Sequence, residues 1–176
     1  MIIHFNEVSP EGQTFYLDRR SGELNGALQD LIGQRPYTVD LEVMPLGQSF
    51  DVKGSVKTEL PQVCSLCADE FTLKVNEKFH QIAMDEEVHS ISGFKENWSA
   101  EDVEVWVTKE AGEIDVGDIV HEALALAQPT KPICKEDCKG LCLVCGEDLN
   151  VSNCNCAEQQ KTENSPFSVL KKLKLN

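Results

Sequence analysis

The stretch from Tyr37 to Val75, YTVDLEVMPLGQSFDVKGSVKTELPQVCSLCADEFTLKV, decides the fold. Tyr37, Val39, Leu41 and Val43 alternate with polar positions, and Phe50, Val52, Val56, Thr58 and Leu60 do the same. Successive side chains of a strand point to opposite faces, so a period of two marks antiparallel strands with one buried face. Pro45–Gln48 reads as the turn between the first two runs. Beyond Cys64 and Cys67, Phe71, Leu73 and Val75 open a third run. The expected fold class is α+β: an antiparallel β-rich domain with a few helices and a C-terminal zinc-binding cysteine cluster.

Upstream, MIIHFNEV has strand-like composition. ELNGALQDLIG places Leu24, Leu28, Leu31 and Ile32 at helical spacing, although its two glycines weaken a helix. Downstream, residues 85–118 hold eleven acids against Lys95 and Lys109, a net charge of −9. A flexible acidic loop is expected at about 85–100, then a short strand at Val103–Val107. Asp115 is placed to cap a helix over VGDIVHEALALA, with Asp118 near its positive end and Ile119, Val120, Ala123, Leu124 and Ala127 on its apolar face. Pro129 and Pro132 end it. The expected organisation is a β-rich domain over 1–130, a cysteine-rich zinc-binding segment over 131–157 packed on it, and a linker with a basic tail over 158–176.

The cysteines are Cys64, Cys67, Cys134, Cys138, Cys142, Cys145, Cys154 and Cys156. Two pairs have C-x2-C spacing, which lets one tight turn present two thiolates to one metal ion. CLVCG carries Gly146, suited to the positive φ of such a turn, whereas Ala68 follows CSLC. Sequence proximity groups Cys142, Cys145, Cys154 and Cys156 as one site, and Cys64, Cys67, Cys134 and Cys138 as another. One or two structural tetrathiolate zinc sites are expected, each contributing on the order of 10 kcal/mol of apparent binding free energy to folding. Zinc suits four thiolates at ribbon-like spacing better than iron does.

Catalytic patterns are missing from the chain. His121-Glu122 begins like HExxH, but Ala125 stands where the second histidine would be. No H-x-E precedes the cysteine motif as a zinc deaminase requires, and no P-loop or GxGxxG is present. A zinc held by four thiolates has no open position for substrate. CSLC lies between strand-like runs, so no helix N-terminus activates it as a redox pair. His4, His80, His89, His121, Trp98 and Trp106 read as surface or packing residues. The expectation is no enzyme.

With 16 basic and 30 acidic side chains, the formal net charge of −14 disfavours wrapping bare nucleic acid and favours a basic partner. No apolar run reaches the length of a membrane span and no leader is visible, so a cytoplasmic location without a membrane partner is expected. Free thiols in a leaderless chain agree with that compartment. In the tail PFSVLKKLKLN, Phe167, Leu170 and Leu173 can dock, while Lys171, Lys172 and Lys174 are candidates for an RNA or phosphate contact.

Several stretches together, CSLC, GEIDVGDIVHEALALAQP, PICKEDCKGLCLVCGEDLN with NCNC, and SPFSVLKKLK, resemble the YceD family of bacterial and plastid proteins. The likeness covers roughly residues 37–83 and 112–176. Ser65 and Leu66 stand where many members carry an arginine between the cysteines. The resemblance implies a non-enzymatic factor in large ribosomal subunit biogenesis that supports 23S rRNA synthesis, processing or accumulation. The expected partner is pre-rRNA or a basic large-subunit ribosomal protein. The alternative, from a different class, is a redox-regulated zinc-binding chaperone that releases metal as C-x-C and C-x2-C oxidise. The direct partner and the oligomeric state are not written in the sequence.

Overall fold

A computed structural model of the chain describes residues 1–92, 104–108 and 112–156. Eleven elements occur among them: β1 (Ile2–His4), a 3-10 turn (Phe5–Glu7), β2 (Gln13–Asp18), α1 (Gln29–Ile32), β3 (Tyr37–Leu46), β4 (Ser49–Val63), β5 (Glu70–Met84), α2 (Glu86–Ser92), β6 (Glu104–Val107), β7 (Glu113–Asp115) and α3 (Val116–Leu126). The fold class is mixed α+β, as the alternation requires.

A five-stranded sheet runs in the order β2-β3-β4-β5-β6, and β1 and β7 form a separate two-stranded sheet. β2, β3 and β4 pair antiparallel. The β3–β4 turn is tighter than Pro45–Gln48: Pro45 pairs with Phe50 and Leu46 with Ser49, leaving Gly47 and Gln48 to reverse the chain. Gly47, at φ 65, supplies the conformation that such a two-residue turn needs. Val39, Leu41, Val43, Val52 and Val56 are all at most 1% exposed, on the inward face. Each such side chain contributes about 1.5–3 kcal/mol of burial.

Several expectations are corrected. The N-terminal strand is three residues long and passes directly into the 3-10 turn. β2, on which the sequence raised no expectation, has no clear period because Leu17 is its one buried residue. Over 24–33 the chain makes successive turns and only Gln29–Ile32 is α-helical, yet Leu24, Leu28 and Ile32 are fully buried. Arg19 holds this segment, donating to the carbonyls of Gly33 and Arg35 and to Asn25 Oδ1, with its guanidinium 5.4 Å from the Tyr37 ring.

Glu86–Ser92 is a helix, not a flexible acidic loop, while residues 93–100 of that expected loop lie outside the described residues. Asp85 is a tie point, accepting from Thr108 Oγ1 and from the Gly112 N–H at 2.9 Å each. β6 occupies the expected position but pairs parallel to β5, Ile82 opposite Val105. α3 starts where Asp115 caps it, its carboxylate accepting from the Gly117 N–H at 2.8 Å. Ile119, Val120 and Leu124 are fully buried and Ala123 nearly so. Among the described residues, no helix is long and apolar enough to cross a membrane.

The chain divides into two compact units. The first comprises 1–62 and 72–130 and contains the helices and both sheets, apart from Val63 of β4 and Glu70 and Phe71 of β5. The second comprises 63–71 and the chain from 131 onward. It includes all eight cysteines.

Candidate metal centres

The two C-x2-C turns fold alike. In the first, the Ala68 N–H donates to Cys64 O at 2.9 Å, and the Cys64 N–H donates to Asp69 O at 2.9 Å. In the second, the Gly146 N–H donates to Cys142 O at 2.9 Å, and the Cys142 N–H donates to Glu147 O at 2.8 Å. In both, the residue after the second cysteine is left-handed: φ is 62 at Ala68 and 74 at Gly146. Ala68 therefore adopts the glycine-like conformation in spite of its Cβ. The missing glycine did not mark a lesser turn.

The structure brings the thiols together in two sets of four, Cys64 with Cys67, Cys134 and Cys138, and Cys142 with Cys145, Cys154 and Cys156. Within each set the sulfurs lie within 4.8 Å of one another. Cys64 Sγ is 3.8 Å from Cys138 Sγ, and Cys67 Sγ is 3.7 Å from Cys134 Sγ. A tetrahedron of sulfurs about 2.3 Å from a central ion has edges of about 3.8 Å, so this spacing fits a metal ion between four thiolates. Cys64 and Cys67 are buried and Cys145 is exposed. Two groups able to hold a metal ion are thus present.

The electrostatics agree with that fit. Burial works against the Cys64 thiolate, but N–H groups of Cys134, Cys67 and Leu66 outweigh it and lower its pKa to about 6. The Leu66 N–H lies 3.4 Å from Cys64 Sγ. Cys142 is likewise lowered to about 6, by the N–H groups of Cys145 and Val144 and by the Cys154 sulfur. Their neighbours move the other way. Cys156 is pushed up to about 12, first by the Cys145 sulfur and then by burial. Burial raises Cys134. The Asp69 N–H favours the Cys67 thiolate, yet burial and the Cys64 and Cys134 sulfurs prevail and raise it. Four sulfurs so close cannot all ionise unaided, and a cation at the centre removes the conflict.

Elsewhere, several histidines pair with carboxylates. His80 faces Asp51 at 2.6 Å, His121 faces Asp30 at 2.9 Å and His4 faces Glu113 at 3.2 Å. Trp106 is half-buried against the core. Trp98, Phe167, Leu170 and Leu173, with the candidate contact residues Lys171, Lys172 and Lys174, lie outside the described residues.

Sequence reasoning missed Gly140 and Asn150. Gly140 has φ 73, and a Cβ there would lie 2.9 Å from Leu66 O. Asn150 sits in the GEDLN turn and donates to Cys138 Sγ at 3.6 Å. Apart from a glycine two residues before a ligand and an asparagine in a turn, the sequence carries no signal for either.

The family model described as "Large ribosomal RNA subunit accumulation protein YceD" matches residues 52–174, a range that contains all eight cysteines. Over 145 residues the chain is 23% identical to "Large ribosomal RNA subunit accumulation protein YCED homolog 1, chloroplastic" of Arabidopsis thaliana. That match takes in 72% of this chain and 45% of the relative, so the chain spans less than half the length of the curated relative. No solved structure matches it significantly.

Proposed function

Because the chain belongs to the YceD family, we propose that it supports accumulation of large-subunit ribosomal RNA as a non-enzymatic factor of the cytoplasm. The observation that carries this reading is the family match over 52–174, which takes in both cysteine groups as one block with β4 and β5. The mode of action is capture of a basic large-subunit ribosomal protein. A net charge of −14 supports a basic protein over naked RNA, since an acidic surface repels phosphate and attracts lysine and arginine. A high-affinity, salt-insensitive complex with 23S fragments alone would contradict that preference.

The two tetrathiolate groups hold zinc in this reading, Cys64, Cys67, Cys134 and Cys138 at one site and Cys142, Cys145, Cys154 and Cys156 at the other. Zinc bound there supplies a closed cross-link and leaves no coordination position for catalysis. Two zinc ions per chain by elemental analysis is the expected count.

The deciding experiment is the ratio of 23S to 16S rRNA in cells lacking the chain. A selective fall in 23S, restored by the wild-type chain, is expected. An unchanged ratio removes the reading. One observation favours a second reading: exposed Cys145 leaves its site open to oxidants, as a redox-regulated zinc-binding chaperone requires. Peroxide treatment that leaves zinc bound and elicits no holdase activity removes that alternative.

A further inference from the structure

The two cysteine groups are joined by a small polar relay. The Asn150 side chain, from within the Cys142 group, reaches the other. Its Oδ1 accepts from the Lys139 N–H at 2.9 Å. One hydrogen of its Nδ2 serves Asp148 Oδ1 at 2.8 Å, and the other points to Cys138 Sγ at 3.6 Å. The backbone N–H fixes which end of the amide is oxygen, and Asp148 and the sulfur then take both amide hydrogens. A sulfur acceptor is larger than oxygen, so 3.6 Å is a normal reach for this donor. Asn150 is held in turn by its own N–H, which donates to Asp148 Oδ1 at 2.9 Å.

Asn150 belongs to the loop between Cys145 and Cys154, which are in the Cys142 group, whereas Cys138 belongs to the Cys64 group. A second link runs the other way. The Leu141 N–H, adjacent to Cys142, donates to Leu66 O at 2.9 Å, and Leu66 lies between Cys64 and Cys67. Leu141 also bridges to Asp148. Gly140 permits this approach, because any Cβ there would meet Leu66 O and its φ of 73 disfavours other residues.

We propose that the two metal sites are energetically coupled, and that Asn150 is the positioning residue that couples them. Closing the Cys142 site orders the 146–153 loop. That order aims the Asn150 amide at Cys138 Sγ and holds this ligand in position in the Cys64 site. By linkage, filling the Cys64 site favours the Cys142 site by the same factor. Partners of ligand atoms of this kind commonly contribute 10–100-fold in metal affinity, on the order of what Asn150→Ala should cost the Cys64 site.

The proposal rests on the metal reading above, and its test is a double-mutant cycle on the full chain. Zinc affinity of the Cys64 site is measured by chelator competition, with occupancy assigned by alkylation of each cysteine and mass spectrometry. Removing the Cys142 site with Cys142→Ser and Cys145→Ser should weaken the Cys64 site about tenfold when Asn150 is present. In the Asn150→Ala background the same change should have little further effect, because a coupled pair is non-additive. Ser152→Ala removes only hydrogen bonds to Glu147 and Asp148 and should leave the Cys64 affinity unchanged. Unchanged Cys64-site affinity after loss of the Cys142 site, with Asn150 intact, overturns the coupling even if Asn150→Ala fails to fold. Full additivity in the cycle overturns the role of Asn150. A wild-type chain that binds no zinc refutes the metal reading itself, and two independent sites refute only this proposal.

Discussion

Ala68 shows how local geometry can override residue preference. A left-handed conformation costs a non-glycine residue about 1–2 kcal/mol, and the turn imposes it here at φ 62. Ala68 is exposed, so its methyl contributes no packing. Ala68→Gly should therefore stabilise the zinc-loaded chain by about 0.5–1 kcal/mol after the extra unfolded-state entropy of glycine is deducted. A higher urea midpoint at fixed zinc checks this, and a lower one contradicts it. Asp51 makes a second prediction. Burial opposes its charge, but hydrogen bonds from Lys53 at 2.5 Å and His80 at 2.6 Å prevail and hold its carboxyl below the ordinary carboxylate value. A depressed folded pKa gives stability that is present above the unfolded value and lost as pH falls through the folded one. Asp51→Asn should cost about 1 kcal/mol at neutral pH. The gap between the two urea curves should close as pH falls below about 4. A gap that persists in acid would show that packing, not charge, is responsible.

α3 is the element whose beginning is best defined by its sequence. Asp115→Ala removes the acceptor for the Gly117 N–H and should cost about 1 kcal/mol, read from the urea midpoint. An unchanged midpoint would mean that water replaces the cap. Legibility followed the contrast between faces. β3 and β4 were readable because Val39, Leu41, Val43, Val52 and Val56 are buried while Asp40, Glu42, Lys53 and Lys57 are exposed. β2 was not, because at the sheet edge only Leu17 is fully buried and exposed Tyr16 blurs the pattern. The leucines before α1 were readable as core but not as turns, since burial rewards spacing while Gly26 and Gly33 interrupt the helix. The parallel pairing of β6 depends on long-range register, which a four-residue segment does not encode. The Cys142 grouping could be read from proximity along the chain, and the other then followed from the four cysteines that remained. Asn150 could not, because its part depends on a bond to Cys138 twelve positions away.

At the scale of the whole molecule, the first unit rests on apolar burial and the second on its cysteine clusters. Metal removal should act unequally. A strong chelator should release amide protection at Cys64, Ala68, Cys142 and Gly146, whose hydrogen bonds define the two turns, and at Leu141, which links them, while β3 and β4 stay protected. Simultaneous loss of both by hydrogen exchange would contradict this division. The discontinuity of the second unit also has a consequence for biosynthesis. Its first portion, 63–71, spans the connection between β4 and β5 with the strand ends beside it, and its remainder begins only at 131. During synthesis, Cys64 and Cys67 emerge as a lone dithiol and stay so while the first unit is completed. Their partners, 67 and 74 positions later, follow only after α3. Closure of that site therefore reports that the first unit has been made: a polypeptide truncated before Cys138 carries an open thiol pair, chemically distinct from the closed site.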